Sequence, residues 1–332
     1  MLSEFKVKLR TLLAAALVCI AAPACSDLIY DDLSNCPVYK VKFRYDWNMK
    51  YADAFAHEVK AVTLYVLDSK GSIVWSRSES GEALAAEDYS MVVKVPAGKY
   101  DLLAWCDADE LGTFTFSEGT EKTALKCSLN RKTAADGTAY VDGDLDRLYY
   151  GFTSADFTSC EGETVATVSL MKNTNNFKVV LQHLSGSPVD PDLFDFSITD
   201  DNALMDWDNS LMDGGDVTYR PWAVYSGEVA LSRASDALNV AIAEFTTGRL
   251  VLGHNPRLNI RLKDSDRIVI SIPLIDYAVL VKGKYNEKLD NQEYLDRQDE
   301  YDMIFFLDDG ERWVDQYIYI NSWKVVLQNA EL

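Results

Sequence analysis

Hydrophobic alternation with a period of two dominates this chain and points it toward β-structure. In VYKVKFRYDW, residues 38–47, the odd positions carry Tyr39, Val41, Phe43, Tyr45 and Trp47, and the even ones Lys40, Lys42, Arg44 and Asp46. A strand written this way puts one face in a core and the other in water. The pattern returns at Val62, Leu64 and Val66, at Tyr100, Leu102, Ala104 and Cys106, at Phe177, Val179 and Leu181, at Leu258, Ile260 and Leu262, and at Ile268, Ile270 and Ile272. Short strands divided by turn clusters argue for antiparallel sandwiches, because a parallel sheet would need crossover helices between them. Helical periodicity is confined to YADAFAHEVK (51–60) and to the polar stretch YNEKLDNQEYLDRQDEY (285–301), an insertion between strands.

The expectation is an all-β chain of two antiparallel β-sandwich domains, with a short helical insertion in the second. About 300 residues are more than one sandwich takes. DGTAYVDGDLDRLYYG (136–151) reads as a loop delivering a strand, and TVATVSLMKNTNNFKVVLQ (164–182) as strand, turn, strand. The boundary is expected in that second stretch near Lys172, giving domains over 38–171 and 172–332.

Residues 1–24 read as a signal peptide removed on maturation. Lys6, Lys8 and Arg10 precede the almost wholly apolar run Thr11 to Ala21, and Ala22-Pro23-Ala24 supplies small residues before Cys25. The run is short of the roughly 20 residues a membrane-spanning helix needs. Small residues ending at a Cys resemble a bacterial lipoprotein box, with Ala22 where Leu is usual. Cys25 is thus the expected site of lipidation, where diacylglyceryl and N-acyl (palmitate-type) chains together would anchor stably. The competing reading is an early thiol left by ordinary secretory cleavage. Residues 25–37 form an acidic tether, and its Ser26-Asp27 and Asp31-Asp32 serve either as a surface-export signal or as a solvated linker.

The formal charge is −20, and the leader holds three basic residues and one acid, so the mature chain carries −22. Such a chain repels nucleic acid and anionic head groups, and anchoring would fall to acyl chains. With Cys19 in the leader and Cys25 lipidated, Cys36, Cys106, Cys127 and Cys160 permit two disulfides in three connectivities. None forms a C-x-x-C pair, and His57, His183 and His254 are far apart, which disfavours zinc.

No catalytic residue, cofactor or metal ligand is expected. His57-Glu58 lacks the second His of a zinc-protease helix, and there is no nucleophile elbow, phosphate loop or dinucleotide fingerprint. Asp142, Asp144 and Asp146, and separately Asp206, Asp208 and Asp213, have spacings that loop carboxylates use for calcium, but without the Gly and Glu that complete the pattern; solvated turn acids are the competing reading. Among seven tryptophans, Trp47, Trp105 and Trp323 sit in strand patterns and are expected in cores. Trp207 and Trp222, near loops, are the ones that could stack on sugar.

An ordered set of phrases spans nearly the whole mature chain: VTLYVLDSKGSIVW, VPAGKYDLLAWCD, LDRLYYG, LMKNTNNFKVVLQ, ISIPLIDYAVLVKGKY, EYLDRQDEYDMIFFL and INSWKVVLQNAEL. Together they resemble the FimB-like fimbrial anchor family of Bacteroides-type bacteria. The resemblance implies two transthyretin-like sandwiches and a non-catalytic, lipid-anchored outer-membrane subunit at the base of a type V pilus. Its partners would be fimbrial stalk pilin subunits, joined by adding a strand to an incomplete sheet. The candidate exchange segment is Tyr317, Ile318, Tyr319, Ile320, Trp323, Val325, Val326 and Leu327, which alternatively completes its own domain. The only Arg-flanked stretch early in the chain suggestive of a cleavage loop surrounds Arg77, in SRSESGE. Cutting there would split the first domain, so the Val38–Trp47 strand is expected to stay in place and the subunit to donate rather than accept. The alternative function is a surface lipoprotein that binds glycans.

Overall fold

The computed structural model describes residues 37–107, 110–230, 237–283, 286–315 and 317–326. Cys25, the acidic tether through Cys36, and Leu327 lie outside the described residues, as do the side chains of Tyr317, Val325 and Val326. The protein is mostly β, in several sheets, with three short α-helices among the described residues.

The first sheet contains β1 (Val38–Trp47), β2 (Ala61–Leu67), β3 (Ile73–Ser80), β4 (Met91–Val93), β5 (Gly98–Asp107), β10 (Leu148–Phe157) and β11 (Glu163–Lys172), in the order β3-β2-β5-β10-β11-β1-β4. The alternation of β1 is realised as written: Tyr39, Val41, Phe43 and Tyr45 are buried. They share one cluster with Val62, Leu64 and Val66 of β2 and Met91 and Val93 of β4. Residues from opposite ends of the strand order meet there, so the sheet is rolled around its own interior. Helix α1 (Phe55–Glu58) covers it through Phe55, which stacks on Phe43. Gly151 of β10 allows close approach to β11, because a Cβ there would lie 2.8 Å from the Ser169 carbonyl oxygen.

Two six-stranded sheets face each other in the second half. One orders β16 (Ala223–Ala230), β17 (Ala237–Gly248), β12 (Thr174–His183), β20 (Glu300–Leu307), β21 (Tyr317–Ile320) and β22 (Trp323–Val326). The other orders β19 (Ile268–Pro273), β18 (Arg257–Leu262), β13 (Phe194–Asp200), β15 (Val217–Tyr219), β9 (Ala139–Val141) and β8 (Lys132–Thr133). Phe177, Val179 and Leu181 from one meet Phe196, Ile198, Leu258 and Ile260 from the other in a single core. Stacked sheets of this kind pack about 10 Å apart.

The expected boundary near Lys172 falls where β11 passes into β12 through Asn173. Strand pairing crosses it twice, however. β8 and β9 precede it in sequence yet extend the later sheet, while β14 (Leu204–Met205) follows it and pairs with β7 (Cys127–Leu129), itself paired with β6 (Phe114–Phe116). Leu103 and Trp105 on the back of β5 therefore belong to the same core as Phe177 and Phe305.

Two further helices cap the second half. Helix α3 (Asn291–Arg297) lies in the polar insertion, and its N-cap Asp290 accepts a hydrogen bond from the Glu293 amide. Helix α2 (Leu274–Leu280) follows β19 directly and buries Leu274, Ile275 and Ala278. The sequence pattern did not announce it, because the apolar run simply continues.

Asp200, at the end of β13, is 7% exposed, and burial pushes its carboxyl up to about 7; the hydrogen bond from the Asp201 amide and the charge of His254 oppose the rise, while the Asp201 carboxyl adds to it. A raised carboxyl binds its proton more tightly in the folded state. Its contribution is complete below the unfolded value near 3.8 and is lost as pH rises through 7, by about 4 kcal/mol at most. Asp200→Asn should therefore remove part of the decline in stability between pH 4 and pH 8. Urea unfolding of both proteins at the two pH values measures this, and identical pH slopes would refute it.

Candidate functional site

Arg297 of α3 lies between the rings of Trp47 and Tyr51, its guanidinium carbon 4.6 Å and 4.7 Å from their centroids. It also donates to the Asp46 carbonyl at 3.0 Å and to Glu293 at 2.9 Å. The end of β1 is thereby clamped to the second half by stacking and hydrogen bonds together. One residue earlier, buried Asp296 receives a two-point ion pair from Arg249, at 2.8 and 2.9 Å, and an amide hydrogen from Gln292. Arg249 also donates to the Asn209 carbonyl. The side-chain amides of Asn209 and Asn173 bond each other reciprocally, at 2.6 and 3.1 Å. Lys172, 7% exposed, pairs with Asp299 at 2.7 Å.

These groups form a polar joint where β11 becomes β12. Each buried charge has its partner, as burial requires. A cleft beside it is lined by Tyr45, Asn48, His57, Glu58, Arg147 and Asp299. The Tyr45 phenol that lines it, and that of Tyr149, which donates to Glu58, are held protonated: burial first, then Asp299, raises Tyr45, and burial first, then Glu58, raises Tyr149. Neither tyrosine is poised as a base or nucleophile.

The joint also orients the ends of the chain. β1 finishes at it, so Val38 begins at the remote end of the first sheet, beside Glu163. β12 starts at it, and β20 runs parallel to β12. β21 returns antiparallel and β22 turns outward again. Val38 thus lies at the end of β1 remote from the joint, and Val326 at the end of β22 remote from it.

β21 and β22 form a hairpin around Asn321 and Ser322, with φ of 48° and 67°, the left-handed pair of a type I′ turn. Asn321 fastens this turn to β20 by exchanging hydrogen bonds with Asp302 and donating to the Glu300 carbonyl. Ile318 and Ile320 are fully buried in the protein's own core. Trp323, expected in a core, is 56% exposed, since β22 is the last strand of its sheet.

The remaining sequence candidates separate. Asp142 pairs with Lys132, Asp144 accepts from Thr246, and Asp146 accepts from the Leu111 and Thr113 amides and the Thr113 hydroxyl. Asp206, Asp208 and Asp213 accept from the amides of Trp207, Ser210 and Gly215 in turns. Among the described residues no group of three His, Cys, Asp or Glu is placed to hold a metal ion. Cys106 and Cys127 are free thiols buried in different cores, where burial pushes both well up, so neither takes part in a disulfide. Cys160 is free and exposed. Arg77 lies within β3, opposite Leu64, and not in a loop.

Trp105 is in the core as expected. Trp207 is covered, with Lys122 4.0 Å above its ring and Phe152 edge-on at 5.7 Å. Trp222, 43% exposed, lines a shallow cleft with Asp144, Glu244, Glu300 and Asp302. The joint itself went unrecognised in the sequence. Its signal was the polar run Lys172-Asn173-Thr174-Asn175 between two apolar strands, all four of which are buried.

Fold and joint together define a β-sandwich scaffold protein in which β1 begins, and β22 ends, away from the joint. The chain belongs to the family of Fimbrillin-A associated anchor proteins Mfa1 and Mfa2, whose model matches residues 33–329. A crystal structure of a candidate adhesin from Bacteroides thetaiotaomicron is 37% identical, with a TM-score of 0.80 over 90% of this chain and 100% of that one. A second from the same organism, described as a candidate polysaccharide-binding protein, is 30% identical, with a TM-score of 0.76 over 89% and 99%. The fimbrial anchor protein Mfa2 from Porphyromonas gingivalis, 16% identical, shares the fold, with a TM-score of 0.65 over 88% and 99%. No curated protein matches the chain. The role is thus fimbria-associated, in a family of structural rather than catalytic proteins. Among the described residues no helix is long and apolar enough to cross a membrane.

Proposed function

We propose that this protein is a non-catalytic lipoprotein that holds a type V pilus at the bacterial surface. Its two transthyretin-like sandwiches would stand between the outer membrane, reached through acyl chains on Cys25, and a stalk pilin joined by strand addition. The carrying observation is the polarity of the chain: β1 begins away from the joint in the first sheet, and β22 ends away from it in another. A base subunit needs this separation, because its contacts with membrane and filament are different surfaces. Trp323, Val325 and Val326 are the part of the exchange segment on the outer strand; Ile318 and Ile320 are committed to the protein's own core.

Cys25→Ala tests the reading in the native organism, by immunoblotting cells and culture medium for this protein and for fimbriae. Release of both together is the expected result. Retention on cells would sink the lipid anchor. Release of this protein without filaments would favour surface glycan binding, a reading supported by exposed Trp222 in its acidic cleft and by the description of the 30% identical relative.

A further inference from the structure

The first sheet turns one face outward along β11, β1 and β4, and that face differs in charge from the chain as a whole. Lys40 of β1 stands between Val165 of β11 and Val92 of β4, and Val38 lies two residues before it on the same side. Val38, Val92 and Val165 are exposed, while the alternate residues Tyr39, Val41 and Val93 fill the core behind them. Three valines on the solvent side form an apolar patch.

Lysines surround it. Lys42 extends the face by two residues along β1, and Lys94 lines a shallow cleft with Val38 and Val92. Both lysines are exposed and make no ion pair with a described residue. The one acid in the patch, Glu163, is held by Lys40 at 2.6 Å. Three lysines against one carboxylate leave +2 here, although the whole chain carries −20. Arg44, further along β1, is taken up by Asp46 and Asp53. At physiological ionic strength charges are screened beyond about 8 Å, so a surface that meets this face feels its lysines rather than the distant acids.

The place of the face in the chain says what it meets. β1 begins in it at Val38, and Pro37 is twelve residues after Cys25. Twelve extended residues reach at most about 43 Å. An acylated Cys25 would therefore hold the face close to a bilayer, at high effective concentration. Valines can enter the head-group boundary while ammonium groups meet phosphate.

We propose that the outer face of β1, with Val92, Lys94 and Val165 beside it, rests on the anionic head groups of the bilayer that holds the acyl chains. The proposal rests on the lipid-anchor reading above and adds to it a contact made by the folded protein itself.

The whole mature chain with Cys25→Ala, which carries no acyl chains, is sedimented with vesicles of phosphatidylglycerol mixed with phosphatidylcholine, and with vesicles of phosphatidylcholine alone. Binding is expected to the anionic vesicles only, and should fall as salt rises. Lys42→Gln and Lys94→Gln should each weaken it about fivefold, the effect of taking one lysine from an anionic surface. Lys263→Gln, in the hairpin between β18 and β19, should leave it unchanged. In a second measurement, acylated protein in the same anionic vesicles is labelled with a succinimidyl ester, and Lys42 and Lys94 should react severalfold more slowly than in detergent, with Lys263 unaffected. Equal labelling in vesicles and detergent would overturn the proposal, as would vesicle binding that both lysine substitutions leave intact. Protection of Lys42 and Lys94 on cells but not in vesicles would overturn it in favour of a protein partner. An N-terminal peptide without acyl mass would instead sink the lipid anchor, and sedimentation alone would then decide the face.

Discussion

Asp296→Ala is expected to destabilise the protein by about 3–5 kcal/mol, the range for removing one partner of a buried ion pair. The loss comes less from the missing attraction than from Arg249, 14% exposed, left facing the joint without a counter-charge. Gln292 loses one of its two acceptors as well, keeping the Leu250 carbonyl. Urea unfolding measures the change, and the double substitution Arg249→Met with Asp296→Leu should recover much of it, since apolar replacement of a whole buried pair is tolerated. A single-site loss under about 1 kcal/mol, within the range of exposed pairs, would show that solvent reaches the joint.

Deletion of residues 323–332 is expected to separate anchoring from assembly. It removes β22 and leaves β21, with Ile318 and Ile320 still in the core, so far-UV circular dichroism and membrane retention should be preserved. Fimbriae should then pass into the medium while this protein stays on the cells. The motive is chemical: an edge strand offers a row of free backbone groups, and alternate apolar side chains give a partner pockets to fill. Fimbriae retained by the truncated protein would move the partner surface elsewhere, with exposed Val224 and Tyr225 of β16, and Trp222 just before it, the next candidate.

What could be read in the sequence was whatever is local. The period-two pattern of β1 reports which side chains enter a core, and Tyr39, Val41, Phe43 and Tyr45 do so. Trp105 could be assigned to the interior for the same reason. The polar stretch 285–301 was read as a helical insertion, and α3 lies within it. Helix α2 escaped, because Leu274 to Leu280 extends an apolar strand with only Pro273 and Asp276 to interrupt it. Trp323 was misplaced because alternation cannot tell a central strand from an edge. The joint was hidden for a different reason: Arg249 with Asp296, Lys172 with Asp299 and Arg297 with Trp47 unite residues dozens to hundreds of positions apart. Cysteine arithmetic failed similarly, since an even count says nothing of two thiols being sealed in different cores.

The register of β1 bears on how the proposed anchor would carry tension. A pull on the membrane end enters at Val38, along the axis of a strand flanked by β11 on one side and β4 on the other. Its ladder hydrogen bonds lie across that pull, so they are loaded in shear and many must fail together, whereas a strand peeled from its end yields one bond at a time. At the far end of β1, Arg297 passes the load directly into the second half. β1 would thus act as a tendon, and its grip would come from the length over which it is paired rather than from any single contact.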